Sequence, residues 1–298
     1  MAESRKVSLP LTVGMFAAFF TANGLIRAPF SSGSLTPFFI ALAAGLILLP
    51  ASAAIFRQVK IKGTARKAAL FILAAAVFCA AGFAFGEYCD FIYAEVLTRA
   101  DMWLIKAVFA LCVFYLSVSD DAAVYKFGFL AFILTAVVFS GLFIFSAKTF
   151  EPKNLKGVFD LPSGTFADIG KSGLNLILPS FAAVVFLRLS DKDVSARRVL
   201  WGTVPSAVFC LTVVFDSVLS FGLPLAAKLG YPYIDDISTV TAGSLFTRMD
   251  GFAYFTFFAC YLLKCAVCIK TSARLLDRAG IKFQKTLTAV LAAAVTLF

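Results

Sequence analysis

The chain has 298 residues, 61% hydrophobic and 15% charged, with a mean hydropathy of +0.92 and a formal net charge of +10. A soluble domain carries about 25% charged residues, so this composition excludes a soluble globular fold and points to an integral membrane protein. In such a chain the positive charge belongs to basic loops beside the membrane rather than to nucleic-acid binding.

The first apolar stretch covers residues 9–30 and is interrupted by Thr21, Ala22, Asn23 and Gly24, with Pro29 near its end. A span needs about 20 apolar residues, and this one reaches that length only with the interruption inside it. Gly and Asn weaken a helix. In lipid, a helix break is tolerated where it lines a cavity, and a helix with a tolerated Gly is the plainer reading. The basic start resembles a signal peptide, but the chain downstream is apolar throughout, so the first run reads as a retained helix. Further helices are expected at about residues 36–56, 68–94, 102–118, 122–147, 173–189 (Pro179 inside), 199–226 and 251–269. Basic residues fill 57–67 and 270–285, and polar segments cover 148–171 and 227–248. The last run, 286–298, is short for a crossing, so the single membrane domain, 1–298, is expected to stop at a ninth helix.

Lysines and arginines set the orientation. With the N-terminus inside, the inner loops hold Arg5, Lys6, Arg57, Lys60, Lys62, Arg66, Lys67, Lys126, Lys192, Arg197, Arg198, Lys270, Arg274, Arg278, Lys282 and Lys285, and the outer ones Arg99, Lys148, Lys153, Lys156, Lys171, Lys228 and Arg248. Sixteen against seven places the N-terminus in the cytoplasm.

The chain has no histidine. That removes the commonest metal ligand and the usual general base, and no metal or cofactor is expected. The seven cysteines lie mostly in apolar runs. Cys265 and Cys268 have CxxC spacing without a second pair, so they read as packing residues. Asp120-Asp121 is a lone acidic pair at a loop, without a partner motif for metal and diphosphate, which argues against a lipid or prenyl transferase and against an enzyme generally.

Around the second polar segment the chain reads Tyr231-Pro232-Tyr233-Ile234-Asp235, then Gly243, Phe246, Arg248 and Asp250, then Lys264. This resembles the spore germination permease family, the B-type membrane subunit of nutrient germinant receptors. Gly86 to Ile92 resembles that family's acidic, aromatic segment, and Asn154-Leu155 with Gly170 to Pro179 resembles its outer loop and sixth helix. The resemblance covers most of residues 8–283. It implies the amino acid–polyamine–organocation transporter fold, five helices plus five inverted ones with helices 1 and 6 broken. The breaks at Thr21 to Gly24 and at Leu178-Pro179 fall in those helices. The family has ten helices and more often places its basic residue after the proline, whereas Arg27 stands before Pro29.

The resemblance also implies a small nutrient ligand, such as an amino acid, held between the two breaks near the midplane. Ala22, Asn23 and Gly24 would offer backbone N–H groups to its carboxylate, and Leu178, Pro179 and Ser180 would do similar work from helix 6. Arg27 would bind a carboxylate, pair with Glu87 or snorkel outward. Tyr88 is a wall residue or core packing. Lys264 either snorkels to the cytoplasmic interface or stands where sodium-coupled relatives hold a cation. Glu87 and Asp90 read as vestibule residues, and Asp216 as a structurally partnered acid. The expected partners are the lipid bilayer and A- and C-type receptor subunits. The expected function is nutrient sensing in spore germination. An amino acid transporter, proton-coupled or uncoupled, and a ligand-free structural subunit are the alternatives.

Overall fold

A computed structural model describes residues 8–22, 34–58, 64–156, 158–159, 165–190, 195–229, 231–239, 250–281 and 284–294. Among these there is no strand. The helices are α1 (Leu9–Thr21), α2 (Thr36–Gln58), α3 (Thr64–Glu95), α4 (Met102–Val118), α5 (Asp121–Ser146), α6 (Thr165–Ser190), α7 (Ala196–Phe221), α8 (Leu223–Ala226), α9 (Pro232–Thr239), α10 (Asp250–Ala279) and α11 (Gln284–Ala294). Five of them, α2, α3, α5, α7 and α10, are long and apolar enough to cross a membrane.

The all-helical class and the long apolar helices agree with the sequence, but several bounds move. α1 ends at Thr21, where the interruption begins, and the remainder of the predicted first helix lies outside the described residues. α6 starts at Thr165 and continues through Pro179 as one helix, so no break is seen at Leu178-Pro179. A proline inside a membrane helix is tolerated where the carbonyl groups it frees find other partners. The predicted seventh helix stops at Phe221. Gly222 follows with φ of 73°, a left-handed conformation that favours glycine, and its N–H closes the helix on Val218 O. The segment expected to be polar at 227–248 contains α9.

The largest change is at the end of α10. The basic loop predicted from residue 270 is helical as far as Ala279. It ends in a Schellman motif, with Gly280 (φ 112°) donating to Asp277 O and Ile281 donating to Leu276 O.

Packing places α1 and α10 inside. Gly14 and Gly128 let α1 cross α5 at close range. A Cβ on Gly128 would lie 2.6 Å from Met15 Cα, and one on Gly14 2.7 Å from the Phe129 ring. Gly202 admits Phe16 in the same way from α7, where a Cβ would lie 2.9 Å from the ring. Small residues at such crossings are the usual device for bringing membrane helices together. Ser206 of α7 also donates to Ala17 O of α1. α10 is the most enclosed of the long helices, with 78% of its most apolar window buried against 28% for α5. It packs along α3 and also touches α1, α4, α5 and α6. The outer faces of α3, α4 and α5 carry exposed Phe71, Phe83, Leu111 and Val137, the surface expected to meet lipid.

The segment after α5 caps one end of the bundle. Glu151 N–H and Asn154 Nδ2 both donate to Leu219 O of α7, and Val158 O accepts from Leu35 N–H and Ser34 Oγ at the start of α2. Phe159 stacks on Phe39 with ring centres 5.5 Å apart.

Candidate functional site

The predicted pocket begins where α1 ends. Ala22 is fully buried, but its N–H donates to Ala18 O at 3.2 Å. This corrects the expectation of a free N–H there, because the helical hydrogen-bond pattern runs one residue further than the composition suggests. Asn23, Gly24 and Arg27 lie outside the described residues, as does the side chain of Leu178. Pro179 is half-buried and Ser180 fully buried, on α6, which packs against α1.

Tyr88 and Lys264 come together through a residue that the sequence reading passed over. Tyr261, one helical turn before Lys264 on α10, is 1% exposed. Lys264 Nζ lies 5.0 Å from the centre of its ring, and its hydroxyl donates to Glu87 Oε2 on α3 at 3.1 Å. Tyr88 stacks on the same ring at 5.7 Å and meets Phe109 at 4.4 Å. Tyr88 therefore sits in an aromatic cluster, which is the packing alternative. Lys264 is 4% exposed, so it is enclosed by protein rather than snorkelling outward. The only signal of Tyr261 in the sequence was its spacing from Lys264. A cation above a buried aromatic face gains about 2 kcal/mol when desolvated. The result is a cation, an aromatic face and a carboxylate in line, within helices of membrane-spanning length.

Two further polar clusters lie at opposite ends of α5. At its start, Asp121 accepts from Arg274 and pairs with Lys270 Nζ at 3.3 Å. Lys270 also donates to Ser119 O, and Arg274 donates to Ser190 Oγ at 2.6 Å with its guanidinium 5.2 Å from the Phe186 ring. These contacts tie the end of α10 to α5 and α6. Lys270 is 6% exposed, which corrects its placement in a basic loop.

At the other end of α5, Ser146 Oγ donates to Asp216 Oδ1 of α7 at 2.5 Å, and the buried Asp236 carboxyl of α9 lies close enough for the two acids to act on each other. Two buried carboxyl groups placed close together disfavour each other's charged form. Burial pushes the Asp236 carboxyl above the ordinary carboxylate range, against the opposing influence of Ser220 and Asp216. Burial likewise raises the Tyr233 hydroxyl well above its ordinary value, and both carboxylates add to that shift. Asp216 was expected to have a structural partner. Asp236 was missed, because α9 lies in a stretch that composition marks as polar loop.

Among the described residues no group of three or more His, Cys, Asp and Glu side chains is placed to hold a metal ion. Cys265 and Cys268 are buried and unpaired in α10. No curated protein matches the chain. A family model described as spore germination protein, the spore permease model, matches residues 68–298. That match spans α3 to α11 with every buried ionisable cluster above, and the chain belongs to the spore germination permease family.

Proposed function

We propose that the chain is the nutrient-binding membrane subunit of a spore germinant receptor, with a free amino acid as its ligand and no covalent chemistry of its own. The observation that carries this reading is Lys264, enclosed in α10 over the Tyr261 ring. Ionisable side chains inside a membrane are costly and mark ligand or ion pathways. A fixed ammonium there replaces a bound cation in an inverted-repeat permease core, and the ligand sits beyond the end of α1, beside Ser180, with Arg27 on its carboxylate. A- and C-type subunits complete the receptor. The N-terminus is cytoplasmic by the bias of Lys and Arg, and cysteines placed singly at Lys60 and Lys153 in a Cys-free background should label from opposite sides of the membrane.

The test is a binding titration of the purified protein against an amino-acid panel. A charge-assisted hydrogen bond contributes about 1.5–3 kcal/mol, so Arg27→Ala should weaken binding by roughly ten- to a hundredfold, and Gly24→Leu should abolish it. Unchanged affinity in both variants would move the ligand elsewhere.

The Asp216–Asp236 pair favours a second reading, a proton-coupled amino acid transporter, since two buried carboxyl groups close together are suited to take up and release a proton. Uptake of a labelled amino acid into proteoliposomes driven by a pH gradient separates the two readings.

A further inference from the structure

α5, α7 and α9 bring four oxygen-bearing side chains together. Ser146 donates to Asp216, and the Asp236 carboxyl lies beside Asp216. Tyr233 of α9 is the fourth. Its ring stacks on Phe139 of α5 with centres 5.3 Å apart. Both carboxyl groups act electrostatically on its hydroxyl, so that hydroxyl stands next to them. All four side chains are enclosed, with Ser146 and Asp216 0%, Asp236 1% and Tyr233 2% exposed. Among the described residues, neither the Tyr233 hydroxyl nor Asp216 Oδ2 has a hydrogen-bond partner.

Two costs therefore meet in one place. A polar atom buried without a partner loses its hydration and gains nothing in return. Two adjacent buried acids oppose each other's charge. A water molecule would satisfy the hydroxyl but leave the acids opposed. A cation among the oxygens offsets both costs. The enclosure has room for a bare ion rather than an organic cation. Every donor is a hard oxygen atom, which suits calcium, magnesium or manganese. Two carboxylates are neutralised by one divalent ion, whereas a monovalent ion leaves a net charge buried, which is expensive. Magnesium demands near-ideal octahedral geometry and keeps its waters, while calcium accepts irregular oxygen sets. A polar route leads inward. Ser220, which acts on Asp236, is partly exposed, and its hydroxyl lies 3.1 Å from that of Thr149. We propose that Asp216, Asp236, Tyr233 and Ser146 form a calcium site that ties α9 to α5 and α7. The site requires neither the amino acid ligand nor transport, so its failure would leave the proteoliposome assay above unaffected.

The test uses the full chain purified in detergent and treated with a chelator. Calcium, magnesium and sodium chlorides are titrated in separately at about pH 8 by calorimetry. The wild type should bind one calcium per chain, more tightly than magnesium, with no heat from sodium. Calcium should also raise its thermal unfolding temperature, because it binds the folded state alone. Calcium affinity follows the charge of its ligands, so Asp216→Asn and Asp236→Asn should each weaken binding on the order of a hundredfold. Tyr233→Phe keeps the ring on Phe139 and removes only the hydroxyl, and should weaken binding by roughly tenfold. Asp101→Asn removes an exposed acid at the start of α4 and should change nothing. Unchanged helicity by circular dichroism confirms that each variant is folded. Absence of calcium binding in the wild type overturns the proposal, as does unchanged affinity in any of the three site variants. An equal loss in Asp101→Asn also overturns it, since that would mean a general attraction of cations to surface acids.

Discussion

Asp121 and Asp216 sit at opposite ends of α5 and are stabilised there by different means. Asp121 meets two cations, Lys270 and Arg274, delivered by the last turns of α10. Asp216 meets hydroxyl and carboxyl groups, Ser146 and Asp236, delivered by α5 and α9. The first site balances charge with charge, so it resists change and breaks badly. The second balances charge with a proton, so it answers to pH. One helix thus carries a fixed tie at one end and a titrating contact at the other.

The largest expected effect is at the fixed tie. Asp121→Asn leaves Lys270 and Arg274 partly buried without their carboxylate. Removing one partner of a buried pair costs about 3–5 kcal/mol, and Asp121 itself is 29% exposed, so the lower end applies. Thermal unfolding in detergent should show a large fall for Asp121→Asn and a small one for Asp216→Asn, whose amide can still accept from Ser146. Equal falls would erase the distinction between the two ends.

The lysines of α10 sharpen it. Lys270→Ala should cost more stability than Lys264→Ala, because Lys270 holds both Asp121 and the Ser119 carbonyl. Lys264 contributes a contact with one ring, worth up to about 2 kcal/mol. Ligand response should run in the opposite order, with Lys264→Ala the more impaired at equal expression. Matching behaviour in both assays would reduce Lys264 to a packing residue.

The smallest effect is a slope. The folded state raises the Asp236 carboxyl above its ordinary value of 3.8, so the folded protein binds more protons than the unfolded chain across that interval. Its contribution to stability is therefore greatest below the ordinary value, falls as pH rises toward the shifted one, and is flat beyond. Melting temperature plotted from about pH 4 to about pH 8 should decline less steeply in Asp236→Asn than in the wild type. Superimposable curves would show that the carboxyl group does not titrate with folding.

The apolar helices were legible because hydrophobic runs of span length have one explanation. The same logic failed at residues 270–279. Lys270, Arg274 and Arg278 look like a solvated loop, yet the partners that let two of them enter the bundle are Ser119 and Asp121, about 150 positions earlier in the chain. Asp121 was set aside as half of a lone acidic pair for the same reason. α9 was hidden because its Tyr233, Asp235 and Asp236 resemble loop composition, and it is packing on α7, α5 and α10 that buries Tyr233 and Asp236. The central cluster was half legible. Lys264 and Tyr88 were singled out, while Tyr261, which joins them, was indistinguishable from the other aromatics of an apolar helix.

α10 runs unbroken for 30 residues, about 45 Å at the usual rise, and so exceeds the hydrocarbon thickness of about 30 Å. Lys264 and Arg274 ride on the same rod, roughly 15 Å apart along its axis. A continuous helix without an internal proline has no hinge in which to absorb a tilt. A displacement imposed beside Tyr261 would therefore arrive at Asp121 as a lateral shift, loading the ion pairs that Lys270 and Arg274 make there. In mechanical terms α10 is a lever, with the aromatic cluster on one arm and the ion pairs on the other.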